Sequence, residues 1–161
     1  MKLVKSEQGP ARSRDWLALA ARIALGGVFL ASGFAKILKA PESLAAVIEA
    51  YQLIPTALAL PMAKILPWVE FIAGGFLASG YLLRPAAALI SGMLGTFVIA
   101  LASASLRGLP LGECGCFGGL GPHLTPLQAM GLDAALLLLA AAAATDRRKL
   151  ASLDSWIEKG K

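Results

Sequence analysis

Four stretches of this chain are nearly free of charge, and their lengths decide what it can fold into. Residues 16–35 hold one charged side chain in 20, 65–83 one in 19, 85–106 none in 22, and 126–145 one in 20. Each is close to the roughly 20 apolar residues that a helix needs to cross a ~30 Å hydrocarbon core. Over all 161 residues, 57% are hydrophobic and 16% charged, against about 25% charged in a soluble domain. The pattern predicts an all-α membrane protein, a bundle of four transmembrane helices forming a single integral membrane domain over 1–161. Spans are expected at about 16–38, 63–83, 85–106 and 126–145, followed by an amphipathic tail at 146–161. The net charge of +5 then belongs to residues flanking the spans. That excludes a nucleic-acid partner and leaves membrane lipid as the surrounding medium.

The first apolar run is longer than the ~7–15 residues of a signal-peptide core. Ala31-Ser32-Gly33 has the small residues of a cleavage site, yet Lys36 and a further span follow, so 16–38 reads as a retained helix. Orientation follows from lysine and arginine, which are enriched on the cytoplasmic side. Lys2, Lys5, Arg12, Arg14, Arg84, Arg147, Arg148, Lys149, Lys159 and Lys161 make ten on one side, and Lys36, Lys39, Lys64 and Arg107 make four on the other. Both termini are therefore expected in the cytoplasm, with the first and third loops outward. Arg22, inside the first span, is expected to extend its stem toward the cytoplasmic surface.

The first loop, 39–64, contains Pro41, Pro55 and Pro61. Between them, 42–53 has no breaker and carries Leu44, Val47, Ile48 and Tyr51 at helical spacing, so a short helix is expected there. The third loop, 107–125, is rich in Gly and Pro and reads as irregular. In the tail, Leu150, Leu153, Trp156 and Ile157 recur at helical spacing, as on an interfacial amphipathic helix. Gly74, Gly75 and Ser79 in the second span and Gly92 and Gly95 in the third are expected to let neighbouring backbones approach. Pro67 is expected to kink the second span near Glu70.

The chain has 2 cysteines, and both fall in Gly112-Glu113-Cys114-Gly115-Cys116-Phe117-Gly118-Gly119 in the third loop. An outward loop is where oxidised thiols persist. A bridge this short closes almost no loop and adds little stability. Its Cα atoms must also come within about 4.4–6.8 Å, which asks the backbone to bend at Gly115. A strained, accessible bridge is readily reduced, so the specific reading is a redox-active pair. Two plainer readings compete: metal capture, for which Cys114, Cys116 and His123 fall short of the four ligands of structural zinc, and an inert loop disulfide. His123 is a candidate to accept a thiol proton or to stabilise a thiolate; the plainer alternative is a solvated loop histidine.

The charges inside the spans form a second group. Glu70 and Asp133 are both expected on the order of 10 Å below the outer surface, with Lys36 near the outer end of the first span. Ionisable groups in a span are costly and usually face the bundle interior in pairs. Lys36, Glu70 and Asp133 thus suggest a polar pocket opening outward beneath the cysteine loop, with a proton-handling role. The competing reading is a purely structural ion pair, Lys36–Glu70 or Lys36–Asp133.

These residues together resemble the DoxX/MauE group of small four-helix membrane proteins, and within it the MauE-like branch. The resemblance covers roughly 21–139. It rests on Arg22, Gly26, Ser32-Gly33 and Lys36 in the first span, and on Tyr51-Gln52-Leu53-Ile54-Pro55 in the first loop. It continues through Leu66-Pro67-Trp68-Val69-Glu70 with Gly74 and Gly80, the Cys114-Gly115-Cys116-Phe117-Gly118 element, and Asp133. One departure stands out: the family's acidic residue in the fourth span commonly follows an arginine, whereas Asp133 follows Leu132. Lys36 is then expected as its counter-ion.

The resemblance implies a bacterial inner (cytoplasmic) membrane and extracytoplasmic thiol–disulfide chemistry with a periplasmic thioredoxin-like partner, associated in the MauE-like branch with maturation of a disulfide-rich amine dehydrogenase. Members of the wider group are associated with quinone-linked sulfur oxidation, which implies a membrane quinone with its headgroup near Lys36, Glu70 and Asp133. The layout is also similar to DsbB and vitamin K epoxide reductase, without a sequence match. DsbB-type relays use two cysteine pairs and this chain has one. Either the single pair meets both partner and quinone, or quinone is not involved. The expected function is a membrane thiol–disulfide oxidoreductase with Cys114 and Cys116 as the exchanging pair. The alternative is a non-catalytic scaffold or chaperone that docks a periplasmic redox protein.

Overall fold

The computed structural model describes residues 13–109 and 125–144. These form five helices: α1 (Ser13–Ile37), α2 (Pro41–Ala50), α3 (Thr56–Ser79), α4 (Leu83–Leu106) and α5 (Pro126–Ala144). Three of them, α1, α3 and α4, are long and apolar enough to cross a membrane. In α5 the apolar stretch is the shorter Gln128–Ala141, within a helix of 19 residues. The tail at 146–161 lies outside the described residues, as do Cys114, Cys116 and His123.

The buried face of α1 shows why these helices belong in lipid. Ala18, Ala21, Arg22, Leu25, Phe29, Ser32 and Lys36 are buried, recurring at three- and four-residue steps, which is one stripe of a helix. The opposite face exposes Trp16, Leu17, Ile23 and Phe34. Charge inside with large apolar side chains outside reverses the rule for a water-soluble surface and suits a hydrocarbon solvent.

Gly80 ends α3. It takes a left-handed φ of 71° while its N–H bonds Leu77 O and the Tyr81 N–H bonds Phe76 O, closing the helix as such caps do. The second span therefore stops short of residue 83, and the turn to α4 passes through Leu82 at φ 48°. Arg84 lies in the first turn of α4, not between the helices. At the other end of α4, Gly108 (φ 65°) makes the same kind of cap, with the Leu109 N–H on Ala104 O. A capping box opens α5: Thr125 N–H donates to Gln128 Oε1 at 3.0 Å, and Gln128 N–H returns to Thr125 Oγ1 at 3.4 Å. Pro126 sits just inside, where its missing N–H costs nothing.

The short helix of the first loop is present as α2. The second span differs, since α3 begins at Thr56 and continues through Pro61 and Pro67. Each proline removes a ladder bond, at about 3 kcal/mol in a helix interior. Packing supplies what the local sequence does not: buried Ala45 on α2 meets buried Ala59 and Ala63 on α3, flanked by Leu44 and Ile48. The arm 56–64 is thus a helix because α2 lies against it. Ala59→Leu should unseat α2 at a cost of about 1–3 kcal/mol. Faster amide exchange across Pro41–Ala50 with α4 unchanged is the expected reading, and unchanged α2 protection would contradict it.

The longer helices touch in the cyclic order α1–α3–α4–α5–α1, with α1 and α3 the most extensive pair. A Cβ built at Gly33 would lie 2.7 Å from Phe71 N and 2.8 Å from Pro67 O, and one at Gly74 would lie 2.8 Å from Leu30 N. At Gly26 the nearest atom is Ala78 N at 2.8 Å. Those neighbours are backbone, so the α1–α3 crossing requires glycine at all three positions. Of the expected packing glycines only Gly74 serves. Gly92 and Gly95 have nothing within 4 Å, and Gly75 only Leu30 Cδ2 at 3.7 Å; no helix backbone approaches any of the three closely.

Candidate functional site

The close crossing of α1 and α3 sets the site. With the two backbones in contact, Lys36 at the end of α1 reaches Glu70 on α3. Its Nζ lies 2.7 Å from both Oε1 and Oε2, and both side chains are buried. Ser32, one turn before Lys36, donates to Glu70 Oε2 at 3.3 Å. The ammonium also sits 5.6 Å from the centroid of the Phe97 ring on α4, inside the range of cation–π attraction. A buried pair is held only when its remaining hydrogen-bonding capacity is also met, and here a hydroxyl and a ring supply part of it.

Asp133 on α5 faces the same place. Lys36 (6% exposed), Glu70 (1%) and Asp133 (4%) line one cavity of about 30 Å³. Ser32, Val28 and Phe29 of α1, Leu94 and Phe97 of α4, and Leu132 and Leu136 of α5 complete its wall. Oδ2 of Asp133 is buried and has no hydrogen-bond donor among the described residues. Of the two pairings left open by the sequence, the structure makes the direct contact Lys36–Glu70; Lys36 attracts Asp133 through space, so the expectation is corrected only as to a Lys36–Asp133 contact. The reason is distance along the crossing: Gly26, Gly33 and Gly74 bring α3, not α5, against the end of α1.

Arg22 is a second correction. It is 1% exposed, so its guanidinium stays within the helices and does not extend to a surface. Arg22 and Lys36 lie on one stripe of α1 about 21 Å apart along the axis, which gives that helix two buried cations. Two features escaped the sequence. Phe97 reads as one more apolar residue of a span, and no local signal marks it. Arg107 on the cap of α4 donates to the Tyr51 carbonyl at the end of α2, linking the first loop to the start of the segment that carries Cys114, Cys116 and His123. Arg107 was legible as a basic residue near the membrane surface, and its partner was not.

A helical membrane protein whose helices enclose a lysine between two carboxylates is the class these observations define. Residues 14–146 match the family described as methylamine utilisation protein MauE, and the chain belongs to that family. No match was found among curated proteins or among solved structures.

Proposed function

We propose that this MauE-family protein is a thiol–disulfide oxidoreductase of the bacterial inner membrane, exchanging electrons with an extracytoplasmic thioredoxin-fold protein through Cys114 and Cys116. The observation that carries the reading is the spacing of the chain's only two cysteines, Cys114-Gly115-Cys116, in the segment between the Gly108 cap and the Thr125 capping box. A bridge closed over one residue contributes little to stability and suits exchange. The architecture proposed with it is four spans with α5 as the fourth, both termini cytoplasmic, and the cysteine segment outward. The charge distribution of ten against four supports it.

The thiolate of one cysteine attacks a sulfur of the partner's disulfide. That S–S bond breaks, a mixed disulfide forms, and the departing partner sulfur takes the electron pair and then a proton. The second cysteine attacks the mixed disulfide, releases the partner as a dithiol and closes the Cys114–Cys116 bond. Two electrons have passed to the partner, and the reverse sequence oxidises it instead. His123 is placed in the same segment to take or return the thiol proton. The family description supports a client in methylamine utilisation, and the resemblance supports a disulfide-rich one.

Quinone is not routed through this mechanism. The cavity beside Glu70 and Asp133 holds about 30 Å³, room for water and well below the ~150 Å³ of a cavity that takes benzene.

Purified, reduced protein in detergent, mixed with oxidised thioredoxin and quenched with a maleimide, provides the test by mass. Both thiols should disappear as thioredoxin is reduced. Cys114→Ser and Cys116→Ser should each abolish turnover, and one of them should accumulate the mixed disulfide. Turnover unchanged in both serine variants with thioredoxin still bound would replace this reading with the docking scaffold.

A further inference from the structure

We propose that the cavity between α1, α3, α4 and α5 is a proton-binding site, in which Glu70 and Asp133 share one proton and Lys36 pairs with whichever carboxylate is ionised. The inference needs neither the cysteines nor a redox partner; the charges around one cavity carry it.

The groups facing Asp133 are few. Lys36 and Ser32 come from α1 and Glu70 from α3, while α4 contributes Leu94 and Phe97, neither of which titrates. Among the described residues, one ammonium therefore stands against two carboxylates. In the observed arrangement the ammonium is committed to Glu70, at 2.7 Å from each oxygen. Asp133 Oδ2 is buried with no donor among the described residues. An ionised carboxylate so placed would lose its hydration, and the attraction of Lys36, whose ammonium is already held by Glu70, offsets only part of that cost. A proton on Asp133 removes that charge and makes its oxygen a donor. The cavity of about 30 Å³ has room for the water that would accept from it. The resting state is thus neutral Asp133 beside a closed Lys36–Glu70 pair.

The same geometry allows the reverse state. Lysine carries a compact ammonium on a flexible four-carbon stem, and Lys36 lines the same cavity as both carboxylates. When the proton passes from Asp133 through cavity water to Glu70, the ammonium turns to the newly ionised Asp133. Ser32 already holds Glu70 Oε2 at 3.3 Å, so Glu70 keeps a hydrogen-bond partner when the lysine leaves. The proton moves one way and the lysine the other, and the net charge of the cavity stays constant.

Infrared spectroscopy of the purified protein at neutral pH, in water and in D₂O, tests this by counting protonated carboxyl groups through their C=O band. Wild type should show one such band, shifted by D₂O and moved by carbon-13 labelling of aspartate but not of glutamate. D133N should abolish it. E70Q should abolish it too, because Lys36 then pairs with Asp133 and holds it ionised. K36M should show two bands. A wild-type spectrum without the band overturns the shared proton, and a band that follows labelled glutamate overturns the resting state on Asp133, in both cases without any variant having to fold. A band that persists in E70Q overturns the movement of the lysine.

Discussion

The double variant E70Q/D133N is expected to lose about 3–5 kcal/mol of stability, the cost of leaving a buried charge without a partner. Each single substitution should cost far less. In D133N the Lys36–Glu70 pair is untouched, and in E70Q the lysine still has Asp133 on the same cavity wall. The two effects should therefore fail to add, by up to the ~3 kcal/mol seen between directly coupled residues. Converting the ammonium as well, in K36M/E70Q/D133N, should restore most of the loss, since the cavity would then hold no charge. Thermal unfolding in detergent across the single, double and triple variants measures this. Simple additivity would show that the carboxylates do not substitute for one another.

Gly33→Leu is the other substitution with a large expected effect. Its Cβ would meet Phe71 N at 2.7 Å and Pro67 O at 2.8 Å, and a backbone cannot turn aside as a side-chain tip can. The helices must separate, at about 3 kcal/mol or more where overpacking meets backbone. Because Lys36 and Glu70 sit on the two helices being parted, the ion pair should open with them. Gly92→Ala and Gly95→Ala, which meet nothing within 4 Å, should stay within about 0.5 kcal/mol. Equal losses at Gly33 and Gly92 would show that the α1–α3 crossing is not what holds the protein together.

The helices with the simplest environments were the most legible. The charge-free run of 85–106 becomes α4 (Leu83–Leu106), and 126–145 becomes α5 (Pro126–Ala144). Uninterrupted apolar sequence admits little else in a membrane. The start of α3 was not legible. Pro61 looks like the end of a loop, and what keeps 56–64 helical is the seating of Ala45 against Ala59 and Ala63, a contact between segments that neither declares alone.

The site divides in the same way. Lys36, Glu70 and Asp133 stand out because an ionisable group within an apolar run has to turn inward, and all three reach one cavity. Which carboxylate takes the lysine depends on a helix crossing, and of the three glycines that set it only Gly74 stands out in the sequence as a packing position. Gly92 and Gly95 meet no neighbouring backbone, while Gly26 and Gly33 make the contact. Arg22 was expected to behave as a surface cation, and the wrapping of α1 by its neighbours keeps it inside.

The glycine contacts also settle the mechanics of the cavity. With Gly26, Gly33 and Gly74 interlocked against backbone, α1 and α3 travel as one rigid plate, because close-packed backbones have no slack to slide. Half of the cavity wall, including the whole Lys36–Glu70 pair, is fixed to that plate. Admitting anything larger than water therefore falls to α4 and α5, which meet the plate through side chains. They are also the two helices whose connecting segment carries the cysteines.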